Sequence, residues 1–138
     1  RADGPVTAML IDIDHFKSIN DTLGHAYGDE VLASFAAILR RNIRDGDVVG
    51  RWGGEEFVVL CTGLDQQQAL AYANALRSRI AHFHFGERET VTASFGLRTG
   101  AAAPLAELLR DADIALYAAK ARGRNRVEAF GATLRDAA

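Results

Sequence analysis

Apolar positions alternate along the chain between short continuous runs and helical stripes. Val6 to Ile13 is almost wholly apolar and ends in Asp12-Ile13-Asp14, the pattern of a central strand with acids at its carboxyl end. Phe16 to Gly28 is mixed and reads as turn-rich. From Asp29 onward, Val31, Leu32, Phe35, Ile38 and Leu39 trace a helical stripe that ends near Arg41. Asp47–Trp52 and Glu55–Leu60 read as the strands of a hairpin bent at Gly53-Gly54. Ala69 to Ile80 predicts a second helix, His82 to Arg88 a loop, and Thr90 to Arg98 a strand. Leu105, Leu108, Leu109, Ala112, Leu116 and Ala119 mark a third helix, stopped by Gly123. Val127 to Phe130 reads as a short edge strand.

This order predicts an α+β protein with a βαββαβ core, an antiparallel-containing sheet carrying helices on one face. In such a topology the end of the first strand and the turn of the hairpin lie side by side. Asp12 and Glu55, distant in sequence, would then reach one ion.

Composition adds bounds rather than chemistry. The 138 residues suit one domain with one core, 1–138. With 49% hydrophobic and 25% charged residues, the balance is that of a soluble globular protein. A formal net charge of −2 argues against wholesale affinity for nucleic acid or membranes, so a charged ligand needs a local patch. No apolar run reaches membrane-spanning length and no signal peptide is visible. Cys61 is the only cysteine, which excludes an intrachain disulfide and fits a reducing compartment. The chain begins at Arg1 and reads as a domain of a longer protein.

The candidate chemistry centres on Arg51-Trp52-Gly53-Gly54-Glu55-Glu56-Phe57. Two glycines leave room for a phosphate, and two acids beside them suit the metal ion that carries it. Strand neighbours point to opposite faces, so only one of Glu55 and Glu56 faces a given site unless the turn distorts the strand. Asp12-Ile13-Asp14 alone fits helix capping, but beside Gly-Gly-Glu-Glu it fits Mg²⁺, which takes one or two carboxylates plus phosphate oxygens. Asp12, Glu55 and the Ile13 carbonyl would suffice. Asn20 and Asp29 together match the donors and carbonyl of a guanine edge, with Asp29 as a helix N-cap the plainer reading. Lys17 would neutralise a phosphate. Lys120 and Arg124, four residues apart at a helix end, suit a polyphosphate tail, although cations there also favour the helix dipole. Arg44-x-x-Asp47 by itself is a surface turn. His82 and His84 lack a third metal ligand, and Cys61 lacks a base. No G-x-x-x-x-G-K-[ST] loop is present, and no G-x-G-x-x-G follows a strand.

Taken together, Met9-Leu-Ile-Asp12-Ile-Asp14-His-Phe-Lys17-Ser-Ile-Asn20-Asp21, Gly24-His25, Gly28-Asp29, Arg51-Trp-Gly-Gly-Glu-Glu-Phe57, Ser94-Phe-Gly96, and Asp113, Tyr117, Lys120 and Gly123-Arg-Asn125 resemble the GGDEF family of diguanylate cyclases in its GGEEF form. The resemblance runs over nearly the whole chain. It implies a palm-like sheet as in nucleotidyl cyclases and polymerases, and condensation of two GTP to cyclic di-GMP with loss of two pyrophosphates. It implies Mg²⁺, with Mn²⁺ as the alternative, on Asp12, Ile13 and Glu55. Glu56 would complete the metal site or assist deprotonation of the 3′-hydroxyl. Asn20 and Asp29 would read guanine. Lys17, Lys120, Arg124 and main-chain N–H groups near His15 and Phe16 would hold phosphates, with Gly53 and Gly54 open beside them. Arg44 and Asp47 match the family's product-inhibitory site.

The same resemblance implies catalysis only in a homodimer, control by an upstream sensor or receiver domain, and a cytoplasmic site of action with a parent protein either soluble or membrane-anchored. Two departures stand out. The D-x-L-T-G-L-x-N-R segment that usually precedes the first strand is absent, which would weaken activity. The family's further inhibitory arginine aligns with Asn74-Ala75, with Arg77 close by. The competing readings are a GGDEF-like module that only binds cyclic di-GMP or GTP, and a metal-dependent phosphohydrolase, which lacks a second His or Asp cluster.

Overall fold

A computed structural model describes residues 4–86, 90–101 and 103–131. The described residues form, in order, β1 (Val6–Ile13), α1 (Phe16–Leu23), α2 (His25–Asn42), β2 (Val48–Arg51), β3 (Glu56–Thr62), α3 (Gln66–His82), β4 (Ala93–Gly100), α4 (Leu105–Ala121) and β5 (Val127–Ala129). They build a five-stranded sheet in the order β2-β3-β1-β4-β5. β1 runs antiparallel between β3 and β4, β2 antiparallel to β3, and β5 parallel to β4. Being central, β1 is buried on both faces, which is why it reads as an uninterrupted apolar run.

Alternation along β1 divides the core. Met9, Ile11 and Ile13 join Phe57, Val59, Phe95 and Leu97 on one face, against Phe35 and Leu39 of α2 and Leu76 and Ile80 of α3. Ala8 and Leu10 face the other way, against Leu108, Ala112 and Leu116 of α4. The expectation of helices on one face holds for α2 and α3 only, because α4 covers the opposite face. Asp12 shares its parity with Ala8 and Leu10, so the strand turns it toward α4.

Helix starts depart from expectation most. Residues 16–28 are helical except for a break at Gly24, whose φ of 92° separates α1 from α2. Phe16 and Ile19 are buried, and packing holds a short helix that its polar residues conceal in the sequence. α2 begins at His25, so Asp29 lies inside it and is not its N-cap. α3 begins at Gln66 behind a reciprocal capping box: Asp65 accepts from the Gln68 N–H at 2.8 Å, and Gln68 Oε1 accepts from the Asp65 N–H at 3.0 Å. The D-x-x-Q spacing signals that start in the sequence. His82 closes α3 instead of opening a loop, and the rest of the expected loop to Arg88 lies partly outside the described residues.

Gly96 lets α4 reach the sheet. A Cβ there would stand 2.1 Å from the Leu116 nitrogen and 2.3 Å from the Ala112 carbonyl oxygen, both backbone atoms that cannot swing aside. Gly96→Ala should therefore lower the stability of the fold by about 3 kcal/mol, read as a fall in the urea midpoint. An unchanged midpoint would show that α4 does not lie that close.

Candidate functional site

The site forms where β1 ends beside the β2–β3 turn. Asp12 pairs with Glu56 across the ladder, and the Ile13 N–H donates to the Glu55 carbonyl at 3.3 Å. Glu55 lies in the turn, just before β3, so strand alternation does not bind it. Both acids therefore come near Asp12. A cavity of about 480 Å³ is lined by Asp12, Ile13, Phe16, Lys17, Glu55, Lys120 and Arg124, with Asp14, His15, Ser18 and Asp21. Glu56 lines the neighbouring cavity with Trp52, Arg110 and Asp113.

The β2–β3 turn is longer than a two-residue hairpin. Arg51 and Phe57 are the last paired residues, and the Trp52 and Gly53 N–H groups both donate to the Glu56 carbonyl, at 2.7 and 3.2 Å. Neither Gly53 nor Gly54 adopts the left-handed conformation of a type I′ turn. Arg51 holds the turn by donating to the Gly53 and Gly54 carbonyls. A Cβ on Gly54 would meet nothing within 4 Å. Neither backbone conformation nor protein packing requires glycine at 54, so its absent side chain leaves the turn open to a ligand.

The electrostatics are unbalanced. Asp12 is 4% exposed, and its Oδ1 is buried without a hydrogen-bond partner among the described residues. Its Oδ2 accepts from the Lys120 ammonium, which α4 delivers to this face. Burial raises the pKa of Glu55, and the neighbouring Asp12 carboxylate raises it further. Burial and Asp12 do the same to Glu56. Three carboxylates thus share one ammonium at close range, and Glu55 and Glu56 hold protons more readily than free carboxylates do. Among the described residues no three His, Cys, Asp or Glu side chains form a closed metal cage. Asp12, Glu55 and the Ile13 carbonyl instead offer a partial, all-oxygen set, which suits a hard ion that keeps waters or phosphate oxygens.

The other half of the cavity favours anions. α1 begins at Phe16 with His15 as its N-cap in the left-handed conformation, φ 58°, and no side chain caps its first N–H groups. Open N–H groups at a helix start bind phosphate. Lys17 is 88% exposed and pairs with Asp21 at 3.0 Å, an exposed contact of little worth that a ligand can displace. Arg124 arrives on a turn after α4 in which Arg124 and Asn125 are both left-handed, at φ 63° and 48°.

Asp14 anchors that turn, a role the sequence reading missed by considering it only as a helix cap. It caps nothing in α1. Its carboxylate accepts from Thr92 Oγ1 at 2.7 Å, Ser94 Oγ at 2.7 Å and the Asn125 N–H at 3.0 Å. The Ser94 of the Ser-Phe-Gly motif was the available signal.

Asn20 and Asp29 do not line the 480 Å³ cavity. The Asn20 amide lies over Gly28, where a Cβ would stand 1.8 Å from its Oδ1. That contact brings Asn20 beside the residue next to Asp29 and explains a glycine inside α2. Asp29 lines a separate cavity with Arg40, Arg51 and Phe57.

Arg44 and Asp47 form a built fork rather than a loose turn. Arg44 Nε and Nη2 donate to Asp47 at 2.9 and 3.0 Å, and Nη2 also donates to the Thr62 carbonyl at 2.8 Å. Asp47 is 3% exposed at its side chain, and it holds the Arg44 pKa above its ordinary value. Tyr72 of α3, which the sequence reading passed over, donates to Asp47 at 2.8 Å and lies under the guanidinium. Burial pushes the Tyr72 hydroxyl up to about 12. Arg77 joins none of this: it donates to Asn74 and to Asn125. Cys61 is buried, and burial raises its thiol to about 11, as expected of a non-nucleophile. Among the described residues no helix is long and apolar enough to cross a membrane.

Known proteins resemble this chain over most of its length. The sequence profile of the family described as "Diguanylate cyclase, GGDEF domain" matches residues 1–126. The chain is 38% identical over 139 aligned positions to diguanylate cyclase DosC of Escherichia coli (strain K12), covering 97% of the chain and 30% of that protein. It thus spans under a third of that relative's length. The active GGEEF domain of a diguanylate cyclase from Vibrio cholerae superposes with a TM-score of 0.87 at 36% identity, covering 93% of this chain and 84% of that one. The GGDEF domain of DgcB from Caulobacter crescentus, solved in complex with c-di-GMP, gives 0.84 at 29% identity, covering 91% and 78%. The palm-like α+β fold of the nucleotidyl cyclases is therefore the fold of this chain.

Removing one acid tests the crowding. A folded-state pKa above the unfolded value makes the fold lose stability as pH rises from about 4.5 through the raised value. Glu56→Gln should thus raise the thermal midpoint at pH 7, and the gain should vanish below about pH 4, where both forms are neutral. A variant less stable than the parent at pH 7 would contradict the crowding.

Proposed function

The chain belongs to the diguanylate cyclase GGDEF-domain family, and from that premise we propose that it condenses two GTP molecules into cyclic di-GMP with release of two pyrophosphates. One observation carries the reading. A buried Asp12 oxygen with no partner among the described residues and Glu55, whose pKa is raised, stand in one cavity with an open helix start and cationic side chains, and Glu56, raised likewise, lines the cavity beside it. One half calls for a divalent cation and the other for phosphate. A nucleoside triphosphate with its metal answers both.

In this reading Asp12, Glu55 and the Ile13 carbonyl hold Mg²⁺, or Mn²⁺ in its place. When bound, the ion supplies charge stabilisation at the phosphates and the attacking oxygen. The first N–H groups of α1, Lys17, Lys120 and Arg124 bind the phosphates. Lys120, paired with Asp12 in the free protein, turns to GTP as the substrate enters. Asn20 and Asp29 meet the guanine edge, the amide by donating and accepting and the carboxylate by accepting ring and exocyclic N–H groups. Gly53 and Gly54 keep the approach clear. The O3′ of one GTP bonds to the α-phosphorus of the other while the bond to pyrophosphate breaks. Glu56, made more basic by burial and by Asp12, suits the 3′-hydroxyl proton.

Each domain holds one GTP, so closing the ring calls for two domains face to face as a homodimer. An upstream sensor or receiver domain would set that pairing, in the cytoplasm where GTP is found. The Arg44–Asp47 fork binds the product and inhibits. Arg44 Nη1 has no hydrogen-bond partner among the described residues, and Tyr72 stiffens the pair, so a free donor is presented on a rigid support.

Cyclic dinucleotide formation from GTP and Mg²⁺, followed chromatographically at high protein concentration, tests the main claim. Glu55→Gln should lower the rate by about 10²-fold or more, and chelating the metal should stop it. A parent protein that binds cyclic di-GMP but never makes it from GTP would overturn the enzyme reading. For the inhibitory site, Arg44→Ala should weaken cyclic di-GMP binding about tenfold, the loss of one charged hydrogen-bonding group, and leave GTP affinity intact. Equal product affinity in the two proteins would sink that assignment.

A further inference from the structure

The turn that carries Arg124 has a cavity on each side. Arg124 lines the 480 Å³ cavity of the candidate site. Asn125 lines a second, of about 390 Å³, with Leu70, Asn74, Arg77, Arg126 and Val127. A left-handed Arg124 costs about 1–2 kcal/mol, whereas asparagine at 125 tolerates that region, so contacts must hold the turn. Three contacts do. The Arg124 N–H donates to the Ala119 carbonyl at 2.9 Å. The Asn125 N–H donates to Asp14 at 3.0 Å. On the far side, Arg77 Nη1 donates to Asn125 Oδ1 at 2.8 Å, while its own Nε is fixed by Asn74 Oδ1 at 2.9 Å.

The last contact is the unexpected one. Arg77 and Asn125 are 48 residues apart, and Arg77 belongs to α3, on the opposite side of the sheet from α4. Arg77 does not line the cavity that holds Arg124. It nonetheless grips the neighbour of Arg124 by its side chain, with a planar group that is itself clamped. Asp14 fixes the backbone of the turn from β1, and Arg77 fixes its side chain from α3.

We propose that Arg77 is a positioning residue for the triphosphate: acting through Asn125, it holds the left-handed turn that aims Arg124 into the phosphate half of the site. The inference rests on the reading of Arg124 as a phosphate ligand. Arg77 then has no part in the product-inhibitory site, although it lies near the position where the family's second arginine aligns.

Calorimetric titration of the 138-residue chain with a non-hydrolysable GTP analogue and Mg²⁺ tests this. Arg77→Ala should weaken binding about fivefold, as expected for one lost hydrogen bond to a guanidinium. Its thermal midpoint should fall by only a few degrees, about that of one lost hydrogen bond, and its cyclic di-GMP affinity should stay that of the parent. Arg77→Lys, which keeps a donor, should restore most of the affinity. Asn125→Gly keeps the positive φ but removes the acceptor, so adding Arg77→Ala to it should cost nothing further. Undiminished analogue binding by Arg77→Ala, no rescue by lysine, or a full additive loss in the double variant would each overturn the inference. A parent protein that fails to bind the analogue at all would instead overturn the GTP reading beneath it.

Discussion

Three carboxylates meet at the end of the central strand, and one ammonium answers them. Asp12, Glu55 and Glu56 are brought together by the β1–β3 ladder and its turn, and Lys120 reaches Asp12 from α4. One Asp12 oxygen stays unpaired in a buried position. A protein would not keep that arrangement for stability, since burying unpaired carboxylate oxygen is costly. Perturbed acids of this kind cluster at functional sites, where a bound cation or proton relieves the crowding.

The surrounding fold serves to hold that crowding in place. β1 is central and buried on both faces, so its end cannot shift to separate the charges. α4 must lie close enough for Lys120 to reach Asp12, and Gly96 allows that approach. The cationic half of the site depends on a turn of unfavourable backbone conformation. Asp14 ties this turn to β1 with the same strand end that presents Asp12, so the acidic and cationic halves of the site share one anchor.

The Arg44–Asp47 pair follows a different logic. Its charges are matched, its geometry is bidentate, and Tyr72 adds a hydroxyl and a ring. The ion pair needs no ligand to balance its charges and leaves one donor, Arg44 Nη1, open among the described residues, whereas the charges at Asp12 are not balanced. A rigid surface fork suits reversible recognition, and a frustrated cavity suits chemistry. The two lie in the same chain on opposite sides of β2, with Arg44 and Asp47 before it and the Gly-Gly turn after it.

Periodicity alone determined β1, the β2–β3 hairpin, α4 and β5, because their apolar patterns are strong and local. Motif chemistry made most of the candidate site legible: Asp12, Glu55, Lys120 and Arg124 line one cavity, and Glu56 lines the cavity beside it. Other features were decided only by the tertiary structure. α1 is too short and polar to announce itself, and packing of Phe16 and Ile19 makes it a helix. The second face of the sheet is covered because α4 returns across it, which no local pattern encodes. Asp14, Tyr72 and Arg77 each look ordinary in the sequence, since their partners lie at Ser94 and Asn125, at Asp47, and again at Asn125. Gly28 and Gly96 owe their presence to an amide and a helix backbone arriving from elsewhere. A side chain's chemistry is written in its own residue, but its burial and its partners belong to the folded chain.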